Sequence, residues 1–392
     1  MARLYVIDSR DGARVPFLRG ILTRSLQRVG LSFDQSYGVA SEVRDALDAH
    51  GDVSVAELRD HVVTHLDNLD GEIAQRYRNR ISDTPQVFVR LPEGQLRAFS
   101  RGRHRSSLHA CGVHPDAAIQ ISVGLYADLV NAGVVEVSIA DVRLMTHQRL
   151  QRDVGEEAAR RYLVWEQFRH GDRPLVVLIG GATGTGKSTV ATQLANSLDI
   201  VRTQSTDMLR EVMRMMVPER LAPALHVSSF LAWQTLPEPA RSSDDALVEG
   251  YLQQSQLLAV AAEAVIRRAT TERVSVVVEG VHAHPSFATD LADSDAIVVR
   301  AMLAVLQPKE LKRRIRGRGK EASARRAKRY LNQFDEIWKL QSFLLSEADQ
   351  EGVPIVVNAD LEDASRELLE IVLTELSKHF TDDPEAAFGH AS

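Results

Sequence analysis

Residues 175–188 read LVVLIGGATGTGKS, and this stretch decides the fold. The run Leu175–Ile179 is wholly aliphatic, the composition of a strand buried on both faces of a parallel sheet. Gly181, Ala182, Thr183, Gly184, Thr185, Gly186, Lys187 and Ser188 then complete G-x-x-x-x-G-K-[ST]. Beyond them Val190, Leu194 and Leu198 recur every four residues, so a helix starts where the loop ends.

Strand, glycine loop and helix in that order make a phosphate cradle. Glycines let successive backbone N–H groups turn inward around an anion, and the helix N-terminus adds its partial positive charge. Lys187 then reaches the β and γ oxygens, Ser188 ligates Mg²⁺, and Thr189 contacts the α-phosphate. ATP and Mg²⁺ are the cofactors this arrangement predicts.

Working outward, Ile200–Gln204, Val274–Val278, Ile297–Leu303 and Pro354–Val357 supply four further strand patterns, each separated from the next by helical ones. The expected fold over 171–380 is therefore α/β, a P-loop kinase with a five-stranded parallel sheet. Its ligands should lie beyond the carboxyl ends of the strands. After the second strand, Asp207, Arg210, Glu211 and Arg214 share one helix face. Asp207 stands where an acceptor hydroxyl would be oriented or deprotonated. Arg210 and Arg214 are candidates to grip an anionic substrate, and a solvated salt-bridged face is the competing reading. Glu279 ends the third strand, where a carboxylate holds a metal-bound water. Lys187, Asp207 and Glu279 are the candidate catalytic residues, with Ser188 and Glu279 the metal contacts. His282 and His284 have no third ligand at usable spacing, so His282 reads as a substrate contact or polar lining.

Between the fourth and fifth strands the chain is densely cationic: Lys309–Arg329 holds eleven Lys and Arg against Glu310 and Glu321. A nucleic-acid patch is disfavoured because aromatics for base stacking are absent before Tyr330. A solvated helix face is a second reading. An arginine lid closing over ATP and substrate, with Arg314 and Arg318 among its contacts, fits best, because phosphoryl transfer needs cations and a water-excluding cover.

The first half of the chain is duplicated. At a constant offset of 82 residues Gly12, Phe17, Arg19, Gly20, Ser25, Leu26 and Gly30 meet Gly94, Phe99, Arg101, Gly102, Ser107, Leu108 and Gly112. Residues 1–80 and 86–168 are read as two copies of one small, mainly helical unit, each opening with a short strand pattern and a glycine turn. The pattern V-I-x-x-x-D-G-x-x-x-P-F resembles the opening of ATP-cone domains, modules that bind adenine nucleotides and regulate attached enzymes. In both copies the basic residue usually found just before the turn is displaced, to Arg10 and Arg90. A helical scaffold or self-association module is the alternative, with a homo-oligomer formed through the repeats.

Bulk composition bounds the rest. The chain has 392 residues, 44% apolar and 26% charged, as ordinary globular proteins do. Its net charge of −6 advertises no nucleic-acid coat. Cys111 is the single cysteine, which excludes an intrachain disulfide and suits a reducing, cytoplasmic setting. No apolar run reaches the roughly 18 residues of a membrane span, so no membrane partner is expected. The tail 381–392 is expected to be disordered.

Taken together, GGATGTGKST, STDMLREVMR, PALHVSSFLAW (Pro223–Trp233), VVVEGVHAHP and RYLNQFDEI (Arg329–Ile337) resemble the 2-phosphoglycerate kinases. The resemblance covers about residues 160–375 and, again, each N-terminal copy. It implies an ATP-dependent kinase whose acceptor is 2-phosphoglycerate, a small phosphorylated acid, and whose product is 2,3-bisphosphoglycerate. This chain holds two ATP-cone-like copies where family members commonly carry one, and it retains the loop lysine that some lack. Relatives linked to inositol phosphate metabolism leave another phosphorylated acceptor as an alternative. An ATP-gated regulatory or nucleic-acid-associated switch is the alternative from a different class.

Overall fold

The computed structural model describes residues 4–7, 14–47, 51–81, 87–287, 295–317, 324–380 and 383–388. The chain forms two compact units, Met1–Gln86 and Val87–Ser392.

The first unit runs β1 (Tyr5–Ile7), β2 (Arg14–Pro16), α1 (Arg19–Gln27), α2 (Phe33–Leu47), β3 (Asp52–Ser54), α3 (Val55–Leu69) and α4 (Gly71–Ile81). Its small sheet has the order β2-β1-β3, with Val6 opposite Val15 on one side and Val53 on the other. Leu26, Val43, Val62, Leu66 and Tyr77 close a core of its own beneath that sheet. Ser54 and Glu57 start α3 with a reciprocal capping box, which satisfies two otherwise orphaned N–H groups.

The second unit opens with the same succession: β4 (Phe88–Arg90), β5 (Leu96–Ala98), α5 (Arg101–Ala110), α6 (Pro115–Asn131), β6 (Glu136–Ser138), α7 (Ile139–Asp153) and α8 (Glu156–His170). The sheet order β5-β4-β6 repeats, with Val89 opposite Arg97 and Val137. Ser138 caps α7 as Ser54 caps α3.

From α8 the chain enters a five-stranded, all-parallel sheet of order β11-β10-β7-β9-β8. Its elements are β7 (Leu175–Gly180), α9 (Lys187–Ser197), β8 (Arg202–Ser205), α10 (Thr206–Met216), α11 (Ala246–Thr271), β9 (Val276–Glu279), β10 (Ile297–Ala304), α12 (Pro308–Gly317), α13 (Ala324–Asn332), α14 (Phe334–Gln350), β11 (Ile355–Val357) and α15 (Leu361–Leu376). This is the α/β P-loop architecture expected, with each strand within two residues of its expected start. Every residue of β7 is buried. Alternation sends Leu175, Val177 and Ile179 to one face, where Leu194, Val372 and Trp165 meet them, and Val176 and Leu178 to the other, under Ile266. A strand covered on both faces has no polar side, which explains its aliphatic composition.

Two boundaries differ from expectation. The second repeat divides its core: Val87, Val89, Leu125, Leu129 and Val142 pack among themselves, while Leu108, Cys111, Ile121 and Trp165 belong to one apolar cluster with β7, α9 and α15. The tail expected to be disordered contains α16 (Pro384–Phe388), whose Phe388 packs its ring beside Tyr162 and His147. No helix among the described residues is long and apolar enough to cross a membrane.

Candidate active site

The loop between β7 and α9 has the backbone that its glycines permit. Gly181 and Gly186 have φ of 138° and 92°, in the left-handed region that side chains avoid. A Cβ on Gly181 would stand 2.4 Å from the Leu303 carbonyl oxygen, and one on Gly186 2.5 Å from Nδ2 of Asn358. Lys187 is buried, and its Nζ donates to the Ala182 carbonyl at 2.8 Å, so the ammonium lies across the mouth of the loop. The Ser188 hydroxyl donates to Oε1 of Glu279 at 3.0 Å. Strand β9 lies beside β7 with Glu279 opposite Ile179, which brings a carboxylate to the first turn of α9 from 91 residues away. A hydroxyl and a buried carboxylate in contact form an oxygen donor pair that suits Mg²⁺ with its remaining positions hydrated. The residues present therefore fit a Mg²⁺–nucleotide.

Asn358, just after β11, is a member that sequence reasoning missed. Its amide donates to the Thr185 carbonyl at 2.7 Å, and its own backbone N–H reaches Ala304. It ties the phosphate loop to the far strands of the sheet. The rule applied to the other strands, inspecting the residue just past each carboxyl end, would have found it.

Arg314 comes from α12. Its Nε donates to Glu310 at 2.8 Å and its Nη2 to the Ala359 carbonyl at 3.1 Å. A Cβ on Gly186 would have Nη1 of Arg314 3.7 Å away, so the guanidinium borders the loop. Hydrogen bonds from Arg313 and Arg314 hold the Glu310 carboxyl down at about 2. Leu311 and Ile315 of the same helix pack with Ala182 and against Gly184. The first helix of the expected lid is thus seated on the loop through an apolar contact. Arg318 lies outside the described residues.

The other expected substrate residues form a different structure. His282 is 4% exposed, and burial lowers its pKa to about 3. Its Nε2 faces the carbonyl oxygen of Gln254 at 2.8 Å and its Nδ1 faces the Thr206 hydroxyl at 3.2 Å. Because that amide oxygen only accepts, the proton is assigned to Nε2, and Nδ1 accepts from Thr206. The Gln254 amide then donates to the Ala224 and Val227 carbonyls, and Nη1 of Arg210 donates to Val227 at 2.6 Å. His282 is therefore a neutral, buried link, which matches the polar lining of its two readings and not the substrate contact. One chain of hydrogen bonds joins the segments STDMLREVMR, PALHVSS and VHAHP, which lie far apart in sequence.

Beyond burial, the charge of Asp207 favours the protonated His282 ring, and those of Arg210 and Lys187 oppose it. The Asp207 side chain is exposed, with Nε of Arg210 3.9 Å away. Arg214 is held 3.0 Å from Glu211. His284 lies apart, 3.9 Å from Glu347, and among the described residues no cluster of three or more metal-ligating side chains exists.

A phosphate loop at the carboxyl edge of a parallel sheet, a hydroxyl–carboxylate pair beside it and flanking arginines define a P-loop small-molecule kinase. Residues 177–339 match the AAA domain family. The chain is 36% identical over 285 residues to the 2-phosphoglycerate kinase of Pyrococcus furiosus, covering 73% of this chain and 90% of that protein. It is 33% identical over 282 residues to the 2-phosphoglycerate kinase of Methanopyrus kandleri, covering 71% and 85%. Against the 2-phosphoglycerate kinase of Thermococcus kodakarensis it is 34% identical over 290 residues, covering 74% and 96%. The chain belongs to the 2-phosphoglycerate kinase family.

Proposed function

We propose that this chain transfers the γ-phosphoryl group of ATP to the free 3-hydroxyl of 2-phosphoglycerate, yielding 2,3-bisphosphoglycerate and ADP. The contact between Ser188 and Glu279 carries the reading, because it joins loop and third strand where Mg²⁺ and the γ-phosphate belong. Bound Mg²⁺ supplies charge neutralisation at the phosphate oxygens. Gly181, Ala182, Thr183, Gly184, Thr185 and Gly186 ring the phosphates with backbone N–H groups, and Thr189 meets the α-phosphate. Lys187 exchanges its Ala182 carbonyl for phosphate oxygens. Ser188 and Glu279 would hold the metal.

Asp207 orients the acceptor hydroxyl and accepts its proton. Arg210 and Arg214, which lie on the same helix, hold the acceptor's phosphate and carboxylate. Arg314, bordering Gly186, serves the nucleotide phosphates. An acceptor with about three negative charges near neutrality needs that many cations, because each phosphate monoester brings about −1.5 to −2. The ATP-cone-like repeats are read as a nucleotide-sensing or scaffolding part. Phosphorus NMR of the reaction mixture tests the assignment. New phosphomonoester signals of 2,3-bisphosphoglycerate, growing as 2-phosphoglycerate disappears, are expected. Appearance of inorganic phosphate alone would reduce the protein to an ATPase.

A further inference from the structure

The Val227 carbonyl is an acceptor shared by two elements. It takes Nη1 of Arg210, from α10, at 2.6 Å and Nε2 of Gln254, from α11, at 3.1 Å. The same Gln254 amide donates to the Ala224 carbonyl, so it holds both ends of the turn that begins at Pro223. From within that turn, Nε2 of His226 lies 2.9 Å from the carbonyl of Val217, the C-cap of α10. The turn therefore clasps α10 at Arg210 and again at its C-terminal end.

Arg210 has little else to fix it. Its Nε is buried without a hydrogen-bond partner, and its Nη2 lies 3.4 Å from Oε1 of Glu211. A guanidinium is a rigid fork on a flexible stem, so the short bond to Val227 decides where its other N–H groups point. Gln254 in turn depends on His282. A side-chain amide fills the same space either way round, and only the orientation with Nε2 toward Ala224 and Val227 satisfies both carbonyls. The Nε2–H of His282 selects that orientation, because it needs the amide oxygen on its own side, at 2.8 Å. Thr206, bonded to Nδ1, keeps the proton on Nε2. Gln254, His282 and Thr206 are all buried, so loss of any partner leaves an unpaired polar group. Thr206 opens α10, and Ser205 before it pairs with Glu279 on β9. The chain of bonds thus begins beside the candidate metal carboxylate and ends at Arg210.

We infer that Gln254 and His282 are positioning residues: through the Val227 carbonyl they aim Arg210 at the acceptor and fix its place relative to the Ser188–Glu279 pair. The inference rests on the reading above that Arg210 holds the acceptor's charge.

Steady-state kinetics on the full-length chain test it. Gln254→Leu deletes the amide at similar volume. KM for 2-phosphoglycerate is expected to rise about tenfold, with KM for ATP within about twofold. His282→Phe keeps a ring to stack on Tyr251, deletes both hydrogen bonds and gives the same split. His282→Gln returns an N–H toward Gln254 and recovers most of the loss. A double-mutant cycle separates positioning from general support: in Arg210→Ala, adding Gln254→Leu or His282→Phe changes KM for the acceptor less than about twofold. Parallel rises in both KM values, or effects undiminished in Arg210→Ala, overturn the inference. Should Gln254→Leu fail to fold, the His282 variants decide by the same criteria.

NMR of the arginine Nε–H groups reads the guanidinium without turnover, with Arg210 assigned by the signal lost in Arg210→Ala. That signal is expected to move in Gln254→Leu and His282→Phe and to return in His282→Gln. A signal that none of these variants moves rejects the inference. A wild type that does not turn over 2-phosphoglycerate, while the Arg210 signal responds as expected, discredits the proposed reaction and supports the positioning of Arg210.

Discussion

Residues 5–81 and 88–170 pass through the same seven elements, with the same sheet order and the same serine caps, yet they are stabilised differently. The first copy closes its core on itself, around Leu26, Val43 and Leu66. The second keeps a smaller cluster of its own around Val89, Leu125 and Val142 and spends Leu108, Ile121 and Trp165 on a core shared with the catalytic sheet. Substitutions at matched positions accompany the change: Leu22 corresponds to His104, and Ile21 to Arg103. His104 is buried with its Nε2 3.0 Å from the Thr146 hydroxyl, a polar pair in place of an aliphatic side chain. Arg143 and Glu166 add an ion pair at 2.9 Å whose carboxylate is also reached by Ser107. A duplicated module thus keeps its topology through its short strands and caps, while its helix faces are free to become part of a neighbouring domain.

The comparison is broken or sharpened first at the phosphate loop. Lys187→Ala should lower kcat by at least about a thousandfold, since the lysine meets the transferring phosphate. It should leave the unfolding of both units near the wild type, and steady-state kinetics with thermal melts check both. Glu279→Gln keeps the size of the side chain but weakens the metal contact. A fall of about a hundredfold, with a raised Mg²⁺ requirement in a magnesium titration, is expected.

Leu26 and Leu108 are matched, fully buried leucines in the two copies. Replacing either by Ala should cost about 2–5 kcal/mol in the unit that holds it. Only Leu108→Ala should lower the melting of the catalytic unit and its activity. Leu26→Ala should destabilise the first unit and leave turnover within about twofold. Equal loss of activity from both would show that the copies are not separated in the way their cores imply.

A smaller effect concerns acid. Burial lowers His104 to about 4 and His282 to about 3, and both belong to the second unit. The unfolded chain titrates these rings near 6.5, so below that pH it binds more protons than the folded state. Their contribution to stability is complete above about 6.5 and is lost as pH falls toward the folded values. Urea unfolding at a series of pH values should follow this slope. His104→Leu, which installs the side chain of the first copy, should reduce it by up to about one proton.

Much of this was legible because it was local. Aliphatic runs marked four of the five strands and ended just before β8, whose residues are RTQS; the glycine loop marked the turn, and the offset of 82 residues marked the duplication. Ser188 and Glu279 could be paired in advance because each ends or follows a parallel strand at one sheet edge. The role of His282 could not. Its partners Thr206 and Gln254 lie 76 and 28 residues away, and only folding buries the ring between them. The cationic stretch was legible only in part for the same reason. Its arginines were visible, but Leu311 and Ile315 seat its first helix on the loop, and two apolar residues in a charged run carry little weight until a surface meets them.

The central claim is tested most directly by ADP release from the full-length chain with ATP and Mg²⁺, with and without 2-phosphoglycerate and other phosphorylated acceptors. The account predicts turnover that depends on 2-phosphoglycerate, saturates with it and disappears in Lys187→Ala. ADP release that no phosphorylated C3 acid raises above the basal rate would contradict it.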